Sequence, residues 1–312
     1  MIAALPRILL PSLLALAAVA LGVAVAIAQR EDRAAPAAPA DASKRTIVVA
    51  AAGDVACDGV CGQDETAAIV GRMRPRLVLG LGDYQYERGT LDNLRAHYDP
   101  YWGRFKRITY AINGGSHDFY GTGDYLTYFN DGGPVRLRPE ASYSFNAGAW
   151  HFIALNSYCF ERSSCDAGRW TTWLRRDLAR HKTLCTLAYY HEPYWTSPSH
   201  HPEDRSTRPW IQALYEGGVD VILQGHNHLY ERFAPQTPDD RRDDRRGIVA
   251  FTVGSGGRSH YPLHGPVAPN SVARDDDTYG VLALTLRPRS YTFRFMPEPG
   301  RSFADAGSGR CH

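Results

Sequence analysis

Thr46-Ile47-Val48-Val49-Ala50-Ala51-Ala52-Gly53-Asp54 and Leu77-Val78-Leu79-Gly80-Leu81-Gly82-Asp83 share one grammar: an apolar run, a glycine, then an aspartate. A strand with water on one face alternates apolar and polar residues, whereas a strand covered on both faces reads as a continuous apolar run. Both segments therefore predict buried strands that end in a carboxylate. The glycine ahead of each aspartate lets the backbone approach a neighbour closely. Working outward, the pattern of a buried run followed by a metal-ligand type of residue recurs. Thr186–Tyr190 precedes His191, and Val219–Gln224 precedes Gly225-His226-Asn227-His228.

The intervening chain alternates between helix and strand. Helices are expected over Thr66–Arg74, Leu91–Trp102 and Pro209–Tyr215. Another is expected over Trp170–His181, where Trp170, Trp173, Leu174 and Leu178 recur at helical spacing. Ile108–Ile112, Ile248–Val253, Val281–Leu286 and Tyr291–Phe295 read as further strands, and Ser142–Phe145 with Trp150–Leu155 as a hairpin around Asn146-Ala147-Gly148. Short strands alternating with helices, with hairpins added, predict a mixed α/β fold, a sandwich of sheets flanked by helices. Ligands in such folds collect beyond the carboxyl ends of strands, where Asp54, Asp83, His191 and His226 fall.

The composition, 44% hydrophobic and 22% charged, is that of a folded chain rather than a disordered one. A net charge of +2, without a basic stripe interleaved with aromatics, gives no ground for a nucleic-acid-binding surface. In Asp239–Arg246 the signs alternate in pairs and cancel, as on a solvated loop. Arg7 precedes the uncharged stretch Ile8–Ala28, and Ala26-Ile27-Ala28 supplies a small-x-small cleavage pattern. Residues 1–28 thus read as a secretory signal peptide. The stretch is also long enough to span a bilayer, so an uncleaved N-terminal membrane anchor through residues 8–28 is the alternative. Both readings put the remaining chain outside the cytoplasm, secreted or tethered. The Ala- and Pro-rich residues 29–45 read as a linker, which leaves 46–312 as one large domain. Six cysteines agree with an oxidising compartment. Their spacing suggests Cys57–Cys61 and Cys159–Cys165, leaving Cys185 for Cys311, one set among the many that six cysteines allow. Thiolate zinc is the rival reading, and the chain lacks the Cys-x-x-Cys spacing it favours.

Taken singly, each candidate ligand has a plain alternative. An aspartate after a strand is commonly a turn former, and a buried tyrosine such as Tyr86 is commonly core. As a ligand, Tyr86 would be a phenolate, which calls for a strongly Lewis-acidic ion to displace a proton of pKa about 10. His226 and His228 flank one residue and so point the same way on an extended segment. Together, the carboxylates, imidazoles and phenol suggest two metal ions about 3.5–4 Å apart, an arrangement used to hydrolyse phosphate esters.

The ordered set Gly53-Asp54-Val55, Gly82-Asp83-Tyr84-Gln85-Tyr86, Gly115-Ser116-His117-Asp118, His191 and Gly225-His226-Asn227-His228 resembles the metallophosphoesterases. The tyrosine of the second motif, and Tyr230-Glu231-Arg232 after the last, resemble the purple acid phosphatases within them. The resemblance implies a sandwich of two β-sheets flanked by helices. It implies a first metal, Fe(III), on Asp54, Asp83, Tyr86 and His228. It implies a second, Fe(II), Zn(II) or Mn(II), on Asp83 as bridge, His191 and His226. His117 matches a phosphate-facing histidine, and His200 and His201 match substrate-contacting ones, so these three are the expected catalytic residues. The implied activity is hydrolysis of phosphomonoesters by attack of a metal-bound hydroxide. One departure matters: Ser116 stands where the family places an asparagine ligand to the second metal, and Asn113 lies close in sequence. A diesterase or nucleotide hydrolase on the same site, and a non-catalytic secreted binding protein, are the alternatives. The oligomeric state is left open.

Overall fold

Successive residues of the first strand, β1 (Ile47–Ala52), bury in opposite directions. Val49 and Ala51 join one apolar cluster, and Ala50 and Ala52 join another. This double burial is why the segment reads as an unbroken apolar run. The computed structural model describes residues 45–312 apart from 121–122, 163–164 and 182–184. The signal or anchor at 1–28 and nearly all of the linker at 29–45 lie outside the described residues. Among the described residues no helix is long and apolar enough to cross a membrane.

In chain order the strands are β1, β2 (Ala56–Cys57), β3 (Leu77–Gly80), β4 (Gln85–Tyr86), β5 (Thr109–Ala111), β6 (Tyr143–Ala147), β7 (Trp150–Ala154) and β8 (Cys185–Tyr189). They continue with β9 (Val221–Gln224), β10 (Tyr230–Phe233), β11 (Val249–Val253), β12 (Ser271–Asp275), β13 (Gly280–Arg287), β14 (Ser290–Pro297) and β15 (Ala306–Arg310). One sheet runs β15-β14-β13-β1-β3-β5 and the other β12-β10-β11-β9-β8-β7-β6. In the first, β1, β3 and β5 are parallel neighbours; in the second, β7, β8, β9 and β11 are. The expected two-sheet α/β sandwich is thus present.

The two sheets face each other across Val49, Ala51, Leu79 and Leu81 on one side and Phe152, Leu187, Tyr189 and Leu223 on the other. Outside the first sheet, the helix Gln63–Met73 covers Ala50 and Val78 with Ala67 and Val70. Outside the second, the helices Ala167–Arg180 and Arg208–Glu216 cover Ile153 and Ile222 with Leu174, Ile211 and Leu214. Truncating such a core leucine to alanine costs about 2–5 kcal/mol.

The expected helix over Leu91–Trp102 is instead a chain of four short helical segments from Leu91 to Ile108. Pro100 sits in the first turn of the α-helical segment Asp99–Trp102, and because it lacks an N–H and crowds the preceding turn, the stretch ahead of it, Leu94–Tyr98, widens to a π-helix. Cysteines pair as Cys57–Cys61, Cys159–Cys165 and Cys185–Cys311, the set suggested by spacing, and none is free among the described residues.

Candidate metal centre

The loops after β1 and β3 run side by side. Asp54 N donates to Gly82 O, Val55 N to Asp83 O and Ala56 N to Tyr84 O, each at 3.1 Å, and β2 pairs with β4 beyond them. This register sets Cys57 opposite Tyr86 and brings the two aspartates together. Asp54, Asp83 and His226 each follow a glycine and each hold a positive φ, of 59°, 46° and 69°. Residues other than glycine rarely adopt that conformation, and it is concentrated at functional sites. The preceding glycines are there for space. A Cβ at Gly82 would stand 2.7 Å from His191 Nδ1, and one at Gly225 2.9 Å from Asp54 Oδ2.

The donor atoms form two groups that share one carboxylate. In the first, Tyr86 Oη lies 2.6 Å from Asp54 Oδ1, 2.9 Å from Asp83 Oδ2 and 3.0 Å from His228 Nε2. In the second, His191 Nε2 lies 3.2 Å from Asp83 Oδ2 and 3.2 Å from His226 Nδ1. The structure therefore brings together all six of Asp54, Asp83, Tyr86, His191, His226 and His228. Asp54 Oδ2 also accepts from His226 N at 2.8 Å, which ties the β9 loop to the β1 loop.

The imidazole tautomers suit cation binding. His191 Nδ1 donates to Leu81 O at 2.8 Å and His228 Nδ1 to Ser259 O at 2.6 Å, so each directs Nε2 into the group. Ligating histidines are commonly oriented by such a carbonyl. Burial disfavours charge on His191, but Asp83 and Asp54 outweigh it and hold its pKa well above the ordinary value. Burial likewise opposes ionisation of Asp83, and the neighbouring His191 reverses this and holds its carboxyl below the usual range. Burial, together with His191 and His201, pushes His226 down. Burial, Asp54 and Asp83 push the Tyr86 phenol up. Two fully buried carboxylates thus have only imidazoles as ion-pair partners among the described residues, and neither meets a lysine or arginine. Buried charge requires compensation, and this oxygen- and nitrogen-rich donor set fits bound cations.

Asp118 holds the arrangement from behind. Its carboxylate accepts from Asp83 N at 2.7 Å, Tyr84 N at 3.0 Å and Gly115 N at 2.9 Å. Burial and Asp83 push its pKa up to about 8. Ser157 Oγ accepts from His191 N and Glu192 N, both at 3.2 Å, and donates to the buried Glu192 carboxylate, whose pKa burial raises to about 7. Glu231 accepts from Ser197 N and Ser197 Oγ, and Asn227 clamps His201 through both its N and its O. The Tyr-Glu-Arg and His-Asn-His segments therefore position the stretch that carries His200 and His201.

The three expected catalytic histidines surround the donors. The His117 ring lies 4.2 Å from that of Tyr86, and His117 N donates to Asp83 Oδ1 at 3.0 Å. His201 stacks on His226 at 3.9 Å, and burial and His200 push its pKa down to about 4. His200 lies 4.6 Å from Tyr261, which stacks on His228 at 3.8 Å. Asn113 is not at the site: its Nδ2 donates to Ala141 O, and its Oδ1 accepts from Tyr125 Oη at 3.4 Å. Ser116 opens the helix Ser116–Phe119 and is half-buried.

Tyr261, Arg258, Glu87 and Ser157 also belong to these surroundings and were not singled out from sequence. The signal for the first two was present, because Val253-Gly254 repeats the strand-glycine pattern ahead of them. A separate trio, His151, Asp177 and His181, also gathers donor atoms. Its imidazoles stack at 4.4 Å and both pair with the one carboxylate between them, His151 Nε2 2.8 Å from Asp177 Oδ2 and His181 Nδ1 3.0 Å from Asp177 Oδ1.

Fold and site together define an α/β sandwich that delivers metal-ligand side chains from strand ends to two adjoining donor groups. The chain belongs to the calcineurin-like phosphoesterase family, whose model matches residues 47–230. It is 28% identical to purple acid phosphatase 21 of Arabidopsis thaliana over 180 residues, covering 51% of this chain and 40% of that one. It is 28% identical to purple acid phosphatase 15 of the same plant over 221 residues, covering 59% and 40%. The chain thus spans about two fifths of the length of these curated relatives. Among solved structures, purple acid phosphatase PPD1 from yellow lupin (Lupinus luteus) seeds superposes with a TM-score of 0.63 at 17% identity, covering 85% of this chain and 54% of that one. GAP50, the anchor in the inner membrane complex of Plasmodium, superposes at 0.67 and 14%, covering 86% and 90%. These two likenesses show the fold.

Proposed function

We propose that the chain is an exported phosphatase that hydrolyses phosphomonoesters at a two-cation centre. Asp54, Asp83, Tyr86 and His228 would hold the first cation. Asp83, His191 and His226 would hold the second, with the weaker hydroxyl of Ser116 as a further ligand. The observation that carries this reading is the position of Asp83 Oδ2, 2.9 Å from Tyr86 Oη and 3.2 Å from His191 Nε2. One carboxylate oxygen between two donor groups is what a bridge requires. A phenolate ligand favours Fe(III) in the first group, and the imidazole-rich second group suits Fe(II), Zn(II) or Mn(II). When bound, such a pair supplies Lewis acidity and ionises water near neutral pH.

The side chains supply the rest. His117 Nδ1 donates to Glu87 O at 2.7 Å, so Nε2 is the nitrogen through which this side chain would exchange a proton with the leaving oxygen, with the imidazolium form as the acid. General acids of this kind contribute about 10²–10⁴-fold. His200 and His201, placed against Tyr261 and His226, would bind and orient the ester. The purple acid phosphatases among the relatives support a monoester, and the three disulfides support export. Elemental analysis of purified protein with its visible spectrum, followed by rates on an aryl phosphate monoester and the matching diester, tests the reading. A chain that takes up no metal and cleaves neither ester would sink it. A preference for the diester would keep the centre and change the substrate.

Ser116 favours a second, non-catalytic reading. The amide of Asn113 is committed to Ala141 and Tyr125, so Asn113 does not make good the missing asparagine.

A further inference from the structure

After β11 the chain runs Gly254-Ser255-Gly256-Gly257-Arg258 back along the Asp54 loop. Gly53 N donates to Val253 O at 2.9 Å, Gly256 N to Gly53 O at 3.0 Å and Arg258 N to Asp54 O at 2.9 Å. The approach is too close for side chains. A Cβ at Gly254 would stand 2.0 Å from Asn227 O and 2.9 Å from Asp54 Oδ2, and one at Gly256 2.3 Å from Gly53 O. The backbone of Arg258 is therefore fixed on a residue of the first donor group. Its guanidinium carbon stands 5.2 Å from the centre of the Tyr86 ring, whose hydroxyl lies inside that group.

The guanidinium is occupied by a carboxylate that is easily exchanged. Arg258 Nη2 donates to Glu87 Oε1, and the Glu87 side chain is 66% exposed against 26% for Arg258. Ion pairs of such exposure contribute little net stability. A guanidinium fork binds a phosphate dianion more strongly, through paired charge-assisted hydrogen bonds. The backbone carbonyl of the same glutamate orients His117 and stays in place when the side chain is released, while the carboxylate itself also stands 3.9 Å from His117 Nδ1.

We propose that Arg258 is a substrate-binding residue at the rim of the centre, which takes up the ester's phosphate group in exchange for the Glu87 carboxylate. The proposal rests on the phosphatase reading for its substrate and on the loop geometry for its residue.

The test uses the metal-loaded full chain with inorganic phosphate as probe. Arg258→Gln should weaken phosphate binding about tenfold by calorimetry, the scale of one charged hydrogen bond. It should raise KM for an aryl phosphate by a similar factor and change kcat less. Glu87→Gln frees the guanidinium and should move phosphate affinity and KM the opposite way. Arg258→Lys, with charge but no fork, should fall between wild type and Arg258→Gln. A merely structural ion pair would make Arg258→Gln and Glu87→Gln shift affinity in the same direction. That result, or unchanged phosphate affinity in Arg258→Gln, overturns the proposal. Wild type that cleaves esters while Arg258→Gln matches it leaves the phosphatase reading standing alone. Wild type that binds phosphate through Arg258 but cleaves no ester keeps the anion site and removes the phosphatase reading.

Discussion

The phenol oxygen of Tyr86 lies 2.6 Å from Oδ1 of Asp54, closer than it lies to Asp83 or His228. Burial and the two carboxylates raise the phenol's pKa, so without a cation Tyr86 is a neutral donor between acceptors. A strongly acidic cation at the same point inverts that preference. Tyr86→Phe removes the oxygen and keeps the ring against His117 and His228. The iron-loaded variant is expected to lack any visible absorption band of the wild type while keeping its far-ultraviolet spectrum. A band that survives takes Tyr86 out of the ligand set.

Asp83 is the residue on which both donor groups depend. Oδ2 meets Tyr86 and His191, and Oδ1 accepts from His117 N. Asp83→Asn removes the negative charge from both groups while preserving size and one acceptor. Metal content should fall for both ions, and kcat should drop about 10³-fold or more. Elemental analysis alongside turnover checks this, and full activity in the variant contradicts a bridge.

Asp177 offers a prediction away from the centre. Burial pushes its carboxyl up, but hydrogen bonds from His151 and Ser144 and the imidazole charges prevail and hold its pKa below the ordinary value. A carboxyl depressed in the folded state stabilises the fold above its unfolded pKa of about 3.9. That stabilisation is lost as pH falls through the folded value. Asp177→Asn should therefore cost about 1–2 kcal/mol near neutral pH. The gap to wild type should close as pH falls below about 3.9. Urea melts across that range measure it, and a gap that stays constant with pH removes the ion pair as its cause.

The strands buried on both faces were legible because their apolar runs are continuous, as in Ile47–Ala52 and Val221–Gln224. Of the edge strands of the two large sheets, β5 and β6 were legible and β12 and β15 were not. Ser271–Asp275 alternates weakly, and Ala306–Arg310 reads Ala-Gly-Ser-Gly-Arg with no large apolar side chain. That last strand exists because Gly307 and Gly309 leave room for the rings of Phe293 and Tyr291, where a Cβ would stand within 2.6 Å. At the centre, the strand-glycine-donor pattern marked Asp54, Asp83 and His226. The contact between Glu87 and Arg258 joins residues 171 apart, and no local pattern reports a pairing of that kind. The reach of Asp118 back to Asp83 N is invisible for the same reason.

Ser116 directly follows Gly115, where a Cβ would fall 2.3 Å from His191 Nε2 and 2.4 Å from Asp83 Oδ1. The backbone at this point therefore presses on the second donor group, and the side chain at 116 leaves the chain one residue later. A serine hydroxyl is shorter than an asparagine amide and a weaker cation donor. Ser116→Asn should tighten the second cation about tenfold, the lower end of what one supporting group contributes to metal affinity. It should also raise the rate when metal is limiting, with the effect vanishing at saturating metal. Calorimetric metal titration and rates against metal concentration read the two outcomes separately. A correctly folded variant that gains neither affinity nor rate would mean that residue 116 is no gap in the ligand set, and it would favour the non-catalytic reading over the enzyme.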